Sequence, residues 1–153
     1  CSLILLMVSA CKKQKSAKPS SYDEIKNEHI KGLEASMSDK LIEVINTAGT
    51  VLLKPGDVIV YKTSLGRFGK MKIVSINSAD NYKLTINAET YKADGNVYQG
   101  KTNLEIRGTW IAELDEIAEA SNNSLGDFHW NRVNTHLTNL VPEQGAKFIK
   151  YNF

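Results

Sequence analysis

The strongest regularity in the chain is an alternation of apolar and polar side chains with a period of two. It is cleanest over Tyr82–Tyr91, where Tyr82, Leu84, Ile86 and Ala88 fall on one side and Lys83, Thr85, Asn87 and Glu89 on the other. That period belongs to a strand with one face on a core and one in water. Comparable segments recur. Val58–Lys62 runs to a turn at Ser64-Leu65-Gly66, and Arg67–Asn77 runs to one at Ser78-Ala79-Asp80. Lys54-Pro55-Gly56-Asp57 and Asp94-Gly95 are turns by composition, because proline presets φ and glycine accepts positive φ. Leu41–Asn46 and Thr50–Leu53 flank Thr47-Ala48-Gly49 as a further hairpin. Asn103–Leu114 reads as one long strand, with Leu104, Ile106, Trp110, Ala112 and Leu114 on one face and Gly108 marking a bend. Ala146–Tyr151 supplies a final strand. Repeated strands with short turns predict an all-β, mainly antiparallel fold, a small β-sandwich or barrel-like meander.

Three segments depart from this pattern. Tyr22–Met37 places Ile25, Ile30, Leu33 and Met37 at an imperfect helical spacing around Gly32, which predicts a short N-terminal helix or ordered arm. Asp115–Ser124 is acidic, then rich in Asn and Ser, and reads as a surface loop with at most one helical turn. Asp127–Leu140 spaces Trp130, Val133, Leu137 and Leu140 like a helix, yet its Asn, Thr and Val content disfavours one. Helix and strand both stay open there.

The first residues follow another logic. Leu3-Ile4-Leu5-Leu6-Met7 leads into Val8-Ser9-Ala10-Cys11 and then a lysine-rich polar segment. The apolar run is too short for a membrane span, which needs roughly 20 apolar residues. It suits the apolar region of an export signal, and the small residues before Cys11 suit a cleavage site. A buried strand of a cytosolic domain is the competing account, and the polar stretch that follows does not support it. The order of residues resembles the lipobox of a bacterial lipoprotein signal peptide. That resemblance implies cleavage before Cys11, a diacylglycerol anchor on its thiol, and a Met with a basic residue upstream of Cys1. Residues 1–10 are then the signal peptide, 11–21 a lipidated, flexible, basic tether, and 22–153 a single β-rich domain. Lys12, Lys13, Lys15 and Lys18 would lie near anionic headgroups of the bilayer, each adding on the order of 1 kcal/mol. By analogy with Gram-negative sorting, the absence of Asp after Cys11 implies the outer membrane, and the lack of an acidic export signal implies its periplasmic side. Without Cys1, and with Cys11 alkylated, the domain has no disulfide and depends on its apolar core.

Charge narrows the partners. The whole chain is +2, but all 17 acidic residues and 15 of the 19 basic residues lie after Ser20, leaving that part at −2. No basic stripe marks a nucleic-acid site. Asp127, His129 and His136 are the tightest grouping of metal-ligand types, at spacings that match no recognised zinc pattern. Asp115 and Glu116, with Glu113 and Asp127, are the candidate carboxylates for glycoside hydrolysis or calcium, although they lack the glycine turn of a calcium loop. No nucleophile elbow, phosphate loop or dinucleotide fingerprint is present, and Gly66-Arg67-Phe68-Gly69-Lys70 reads as a tight turn. Gly108-Thr109-Trp110 resembles the Gly-x-Trp element of lipocalins, but too little chain follows Trp110 for the rest of that barrel. Trp110, Trp130, Tyr91 and Tyr98 are the candidates to stack on sugar rings; Trp110 lies on the apolar face of its strand and reads as core, and Trp130, set among polar residues, is the better of them. With Asp127 and His129 it forms the candidate ligand-binding set. The expectation is a lipid-anchored envelope protein with a non-catalytic domain for a protein or glycan partner, needing no cofactor. The alternative is a small envelope hydrolase or metal-dependent enzyme using Asp127, His129 and His136, or Asp115 and Glu116. A carrier of a small apolar ligand, the third reading, requires a hollow barrel.

Overall fold

The computed structural model describes residues 17–121, 123–133 and 138–153. The lipobox with Cys11, and His136, lie outside them. The described residues form ten strands in two five-stranded antiparallel sheets: β1 (Ile42–Ile45), β2 (Val58–Lys62), β3 (Phe68–Asn77), β4 (Lys83–Tyr91), β5 (Val97–Ile106), β6 (Ile111–Glu113), β7 (Ala118–Ala120), β8 (Phe128–Arg132), β9 (Thr138–Pro142) and β10 (Lys147–Tyr151). One sheet runs β10-β2-β3-β4-β5 and the other β1-β9-β8-β6-β7. Among the described residues the two sheets share no ladder. The molecule is a β-sandwich, not a closed barrel.

The core follows from the alternation. Ile59, Tyr61, Met71, Ile73, Leu84 and Ile86 of one sheet meet Val44, Ala112, Phe128, Trp130 and Leu140 of the other. Burying each such large side chain contributes about 1.5–3 kcal/mol. Phe128 and Phe148 meet edge to face with centroids 5.8 Å apart, so rings occupy the space a carrier would need hollow.

Val58-Ile59-Val60-Tyr61 is buried on both faces, because a second apolar layer lies outside the first sheet. Its cover is the segment before β1, a 3-10 turn at Tyr22–Glu24, helix α1 (Asn27–Lys31) and a 3-10 turn at Glu34–Ser36. Ile25 and Ile30 of this arm are fully buried against Val58, Val60, Phe68, Tyr91 and Tyr151. His29 Nδ1 accepts from the Lys26 main-chain N–H (2.9 Å), which caps the short helix. The imperfect spacing over Tyr22–Met37 therefore belongs to an ordered arm with one helical turn.

Three segments differ from the sequence reading. Asn103–Leu114 is two strands: β5 ends at Ile106, and the chain crosses to the other sheet through Arg107–Trp110 before β6. Gly108 sits against the Asn81 carbonyl, where a Cβ has no room, and Thr109 adopts φ +70. Asp115–Ser124 contains β7, a short edge strand paired with β6. The described residues of Asp127–Leu140 belong to neither a helix nor one strand, since β8 and β9 pair antiparallel with Trp130 opposite Leu140.

Candidate functional site

Three turns meet at one end of the sandwich, and they bring together acids that flank β7 in the chain. Glu113 closes β6, Asp115 follows it, and Asp127 precedes β8; their ligand atoms lie within 4.8 Å of one another. Asp127 is fully buried. Its Oδ1 accepts the Ser64 N–H (2.6 Å) and its Oδ2 the Leu114 N–H (2.7 Å), which ties the β2–β3 turn to β6. Asp115 Oδ1 accepts from Thr63 Oγ1 (3.0 Å) and from Arg67 Nη1 (2.9 Å). Its Oδ2 is buried and meets no donor among the described residues. Glu113 accepts the N–H groups of Asp115 (2.9 Å) and Glu116 (2.8 Å), folding the turn back on itself.

The electrostatics follow from burial. Desolvation pushes the Asp127 carboxyl above the usual aspartate range, against the lowering effect of its amide donors. Glu113 is raised for the same reason, with the neighbouring Asp127 and Asp115 adding to the rise. The cluster holds one guanidinium against three carboxylates, so a proton or a small cation suits it chemically. Both oxygens of Glu113 and of Asp127 are nevertheless engaged by main-chain amides, and Arg67 holds Asp115. The group acts as a clamp joining the two sheets.

The sequence candidates divide. Asp115 and Asp127 come together, and Glu113 joins them. Glu116 does not, since it is exposed and accepts from Tyr98 Oη (3.1 Å). The Asp115/Glu116 pair is therefore not a convergent acid pair. His129 is half-buried on the outward side of β8, between the buried Phe128 and Trp130, and its Nε2 bonds the Thr109 carbonyl (2.9 Å). It lies outside the carboxylate group. Trp130 is fully buried and donates Nε1–H to the Tyr82 carbonyl (2.7 Å), leaving no ring face for a sugar. Trp110 is half-buried with the Arg107 guanidinium 3.4 Å above its ring.

Arg67 extends the clamp to the surface. Its guanidinium stacks 4.2 Å from the Tyr98 ring centroid and lines a cleft of about 590 Å³ between α1, the β2–β3 turn and the β4–β5 hairpin. The cleft is bounded by Asn27, Lys31, Leu65, Lys92 and Tyr98, and no carboxylate lines it among the described residues. The spacing of the chain gave no sign of this cleft, because its walls come from a helix, a turn and a hairpin far apart in sequence. A cluster of exposed cations beside turn glycines was the only available signal. Comparison of the chain with protein-family models, with curated proteins and with solved structures finds no match.

Proposed function

We propose that this chain is a lipid-anchored protein of the bacterial envelope, held through Cys11 on the periplasmic side of the outer membrane, whose β-sandwich is a non-catalytic binding module for a protein or glycan partner. One observation carries the reading of the domain. The acids available for catalysis are fixed to main-chain amides and Arg67, while the open cleft beside them presents cations and rings without an acid–base pair. A cleft of that kind holds a ligand and offers no proton relay. The anchor is supported by Val8-Ser9-Ala10-Cys11 and the basic segment after it.

The second reading, a small hydrolase or metal-dependent enzyme, draws on the convergence of Glu113, Asp115 and Asp127. One experiment separates the two. The chain, preceded by a Met and a basic residue as the resemblance implies, is expressed in a Gram-negative host, extracted in detergent without added metal or chelator, and weighed by native mass spectrometry. The expected mass carries an acyl-glyceryl increment on Cys11, absent in Cys11→Ser, and no metal. An unmodified Cys11 overturns the anchor. A stoichiometric divalent ion that disappears in Asp115→Asn overturns the non-catalytic reading in favour of the second.

A further inference from the structure

We propose that the cleft beside Arg67 binds an acidic sugar, a carboxylate-bearing pyranose within a longer glycan that also contains neutral units. This deepens the reading of the domain as a binding module and rests on it. The cleft, at about 590 Å³, falls in the usual size range for small-ligand sites. Three features of its wall select the ligand.

The first is charge. Lys31, Arg67 and Lys92 line the cleft, and Lys31 and Lys92 have no ion-pair partner among the described residues. Arg67 is already oriented, with Nη1 on Asp115 and its Cζ 4.2 Å from the Tyr98 ring centroid, so little freedom is lost when it meets an anion. The second is an acceptor without a donor. Asn27 lines the cleft, is buried, and its Oδ1 has no hydrogen-bond partner among the described residues. That atom is closed off from solvent, and a turn of the Asn27 side chain toward the cleft brings it to an O–H or N–H of a ligand. The third is an apolar wall formed by Leu65 and the Tyr98 ring. A bare anion satisfies only the cations, and a hydrocarbon satisfies only the wall. A pyranose carboxylate offers an anion, hydroxyl donors and a C–H face on one ring.

The adjoining depression adds direction. It measures about 450 Å³, shares Asn27, Lys31 and Ala93 with the cleft, and adds Glu28 and Asp94. Glu28 and Asp94 there accept sugar hydroxyls, and with Lys26 and Lys31 beside them the depression is charge-balanced, which suits a neutral unit. That favours a chain of alternating acidic and neutral sugars over a polyacidic peptide.

Amide NMR of the full chain in detergent micelles tests this with three probes. A hyaluronan tetrasaccharide alternates glucuronate with neutral N-acetylglucosamine, chitotetraose is its neutral counterpart, and tetraglutamate is the peptide control. The tetrasaccharide is expected to shift Lys31, Arg67, Lys92 and Tyr98, with chitotetraose leaving them unmoved. Lys31→Gln/Lys92→Gln, at two exposed positions, is expected to weaken binding about tenfold or more without altering thermal unfolding. Unchanged affinity in that variant, no shift at the cleft, or preference for tetraglutamate overturns the proposal. Shifts confined to another face overturn the cleft alone, whereas cleavage of the tetrasaccharide overturns the non-catalytic reading beneath it.

Discussion

Asp127 holds a carboxylate where water cannot reach it, and its protonation is therefore coupled to folding. Burial raises its native titration point above the value of about 3.9 that an unfolded aspartate has, so the native state keeps the proton to higher pH. The sign follows. Its contribution to stability is greatest at pH values below the unfolded point and declines as pH rises through the native one. Glu113 acts in the same direction. Asp94 acts in the opposite one: the Asn96 N–H bonds its carboxylate at 2.9 Å and holds its titration point low, so that its support is lost on acidification. Carboxyl-carbon NMR across the acid range should place the Asp127 midpoint above an ordinary aspartate and the Asp94 midpoint below. The reverse order would refute this account of the clamp.

Among the elements, the N-terminal arm depends most on a single side chain. Lys70 on β3 is buried, and its Nζ donates to the carbonyls of Tyr22 (2.7 Å) and Ile25 (3.0 Å) while facing Glu89 at 3.4 Å. The Tyr22 ring lies 4.2 Å from the same ammonium. Lys70→Met keeps the aliphatic stem but removes both charged donations to the arm and the cation facing Glu89, leaving the Tyr22 carbonyl to the Ile25 N–H and the Ile25 carbonyl and Glu89 to the one Tyr91 hydroxyl. It should cost about 3 kcal/mol in urea unfolding and speed hydrogen exchange at Ile25 and Ile30 more than in β4. Equal acceleration in both places would show that the arm is not separately latched. The same elements show what was legible in the chain. β2 and β4 could be read because their patterns are local: a run of Val and Ile buried on two faces, and strict alternation buried on one. The β5–β6 junction could not, because Leu104 and Ile106 point into the core from one sheet, and Ala112 and Leu114 do so from the other. The phase survives the crossing, and the alternation runs on through it. Trp130 was misjudged because strand neighbours face away from each other, so His129 and Asn131 reveal nothing about its surroundings. Gly69 looked like part of a turn. Only Gly66 serves the turn, at φ +88, while Gly69 lies in β3 under the Tyr61 ring. The acids were visible as residue types. Their convergence was not, since Thr63, Ser64 and Arg67 orient them from across the sandwich.

At the scale of the whole molecule, the arm determines how the sandwich answers to a pull. Tension applied at Lys18 reaches the arm first, and the arm lies on the outer face of a sheet to which it adds no strand. Its contacts open one after another, Pro19 and Tyr22 before Ile25 and Ile30, in the manner of a peeled tape. The same tension passes on through β2, β3 and β4, whose ladder bonds bear it together and hold at a force that opens the contacts of the arm singly. The arm is thus a mechanical fuse in series with a stiff body. Optical-trap stretching between handles at positions 18 and 121 should show a first extension of about 60 Å, the contour of the arm to Met37, ahead of the main rupture. A single rupture would mean that arm and sheet yield together. Two steps would mean that the molecule lengthens under stress while its cleft-bearing turns on the sheets stay folded, with α1 alone withdrawn from the wall of the cleft. A tug on the chain would then loosen whatever the cleft holds.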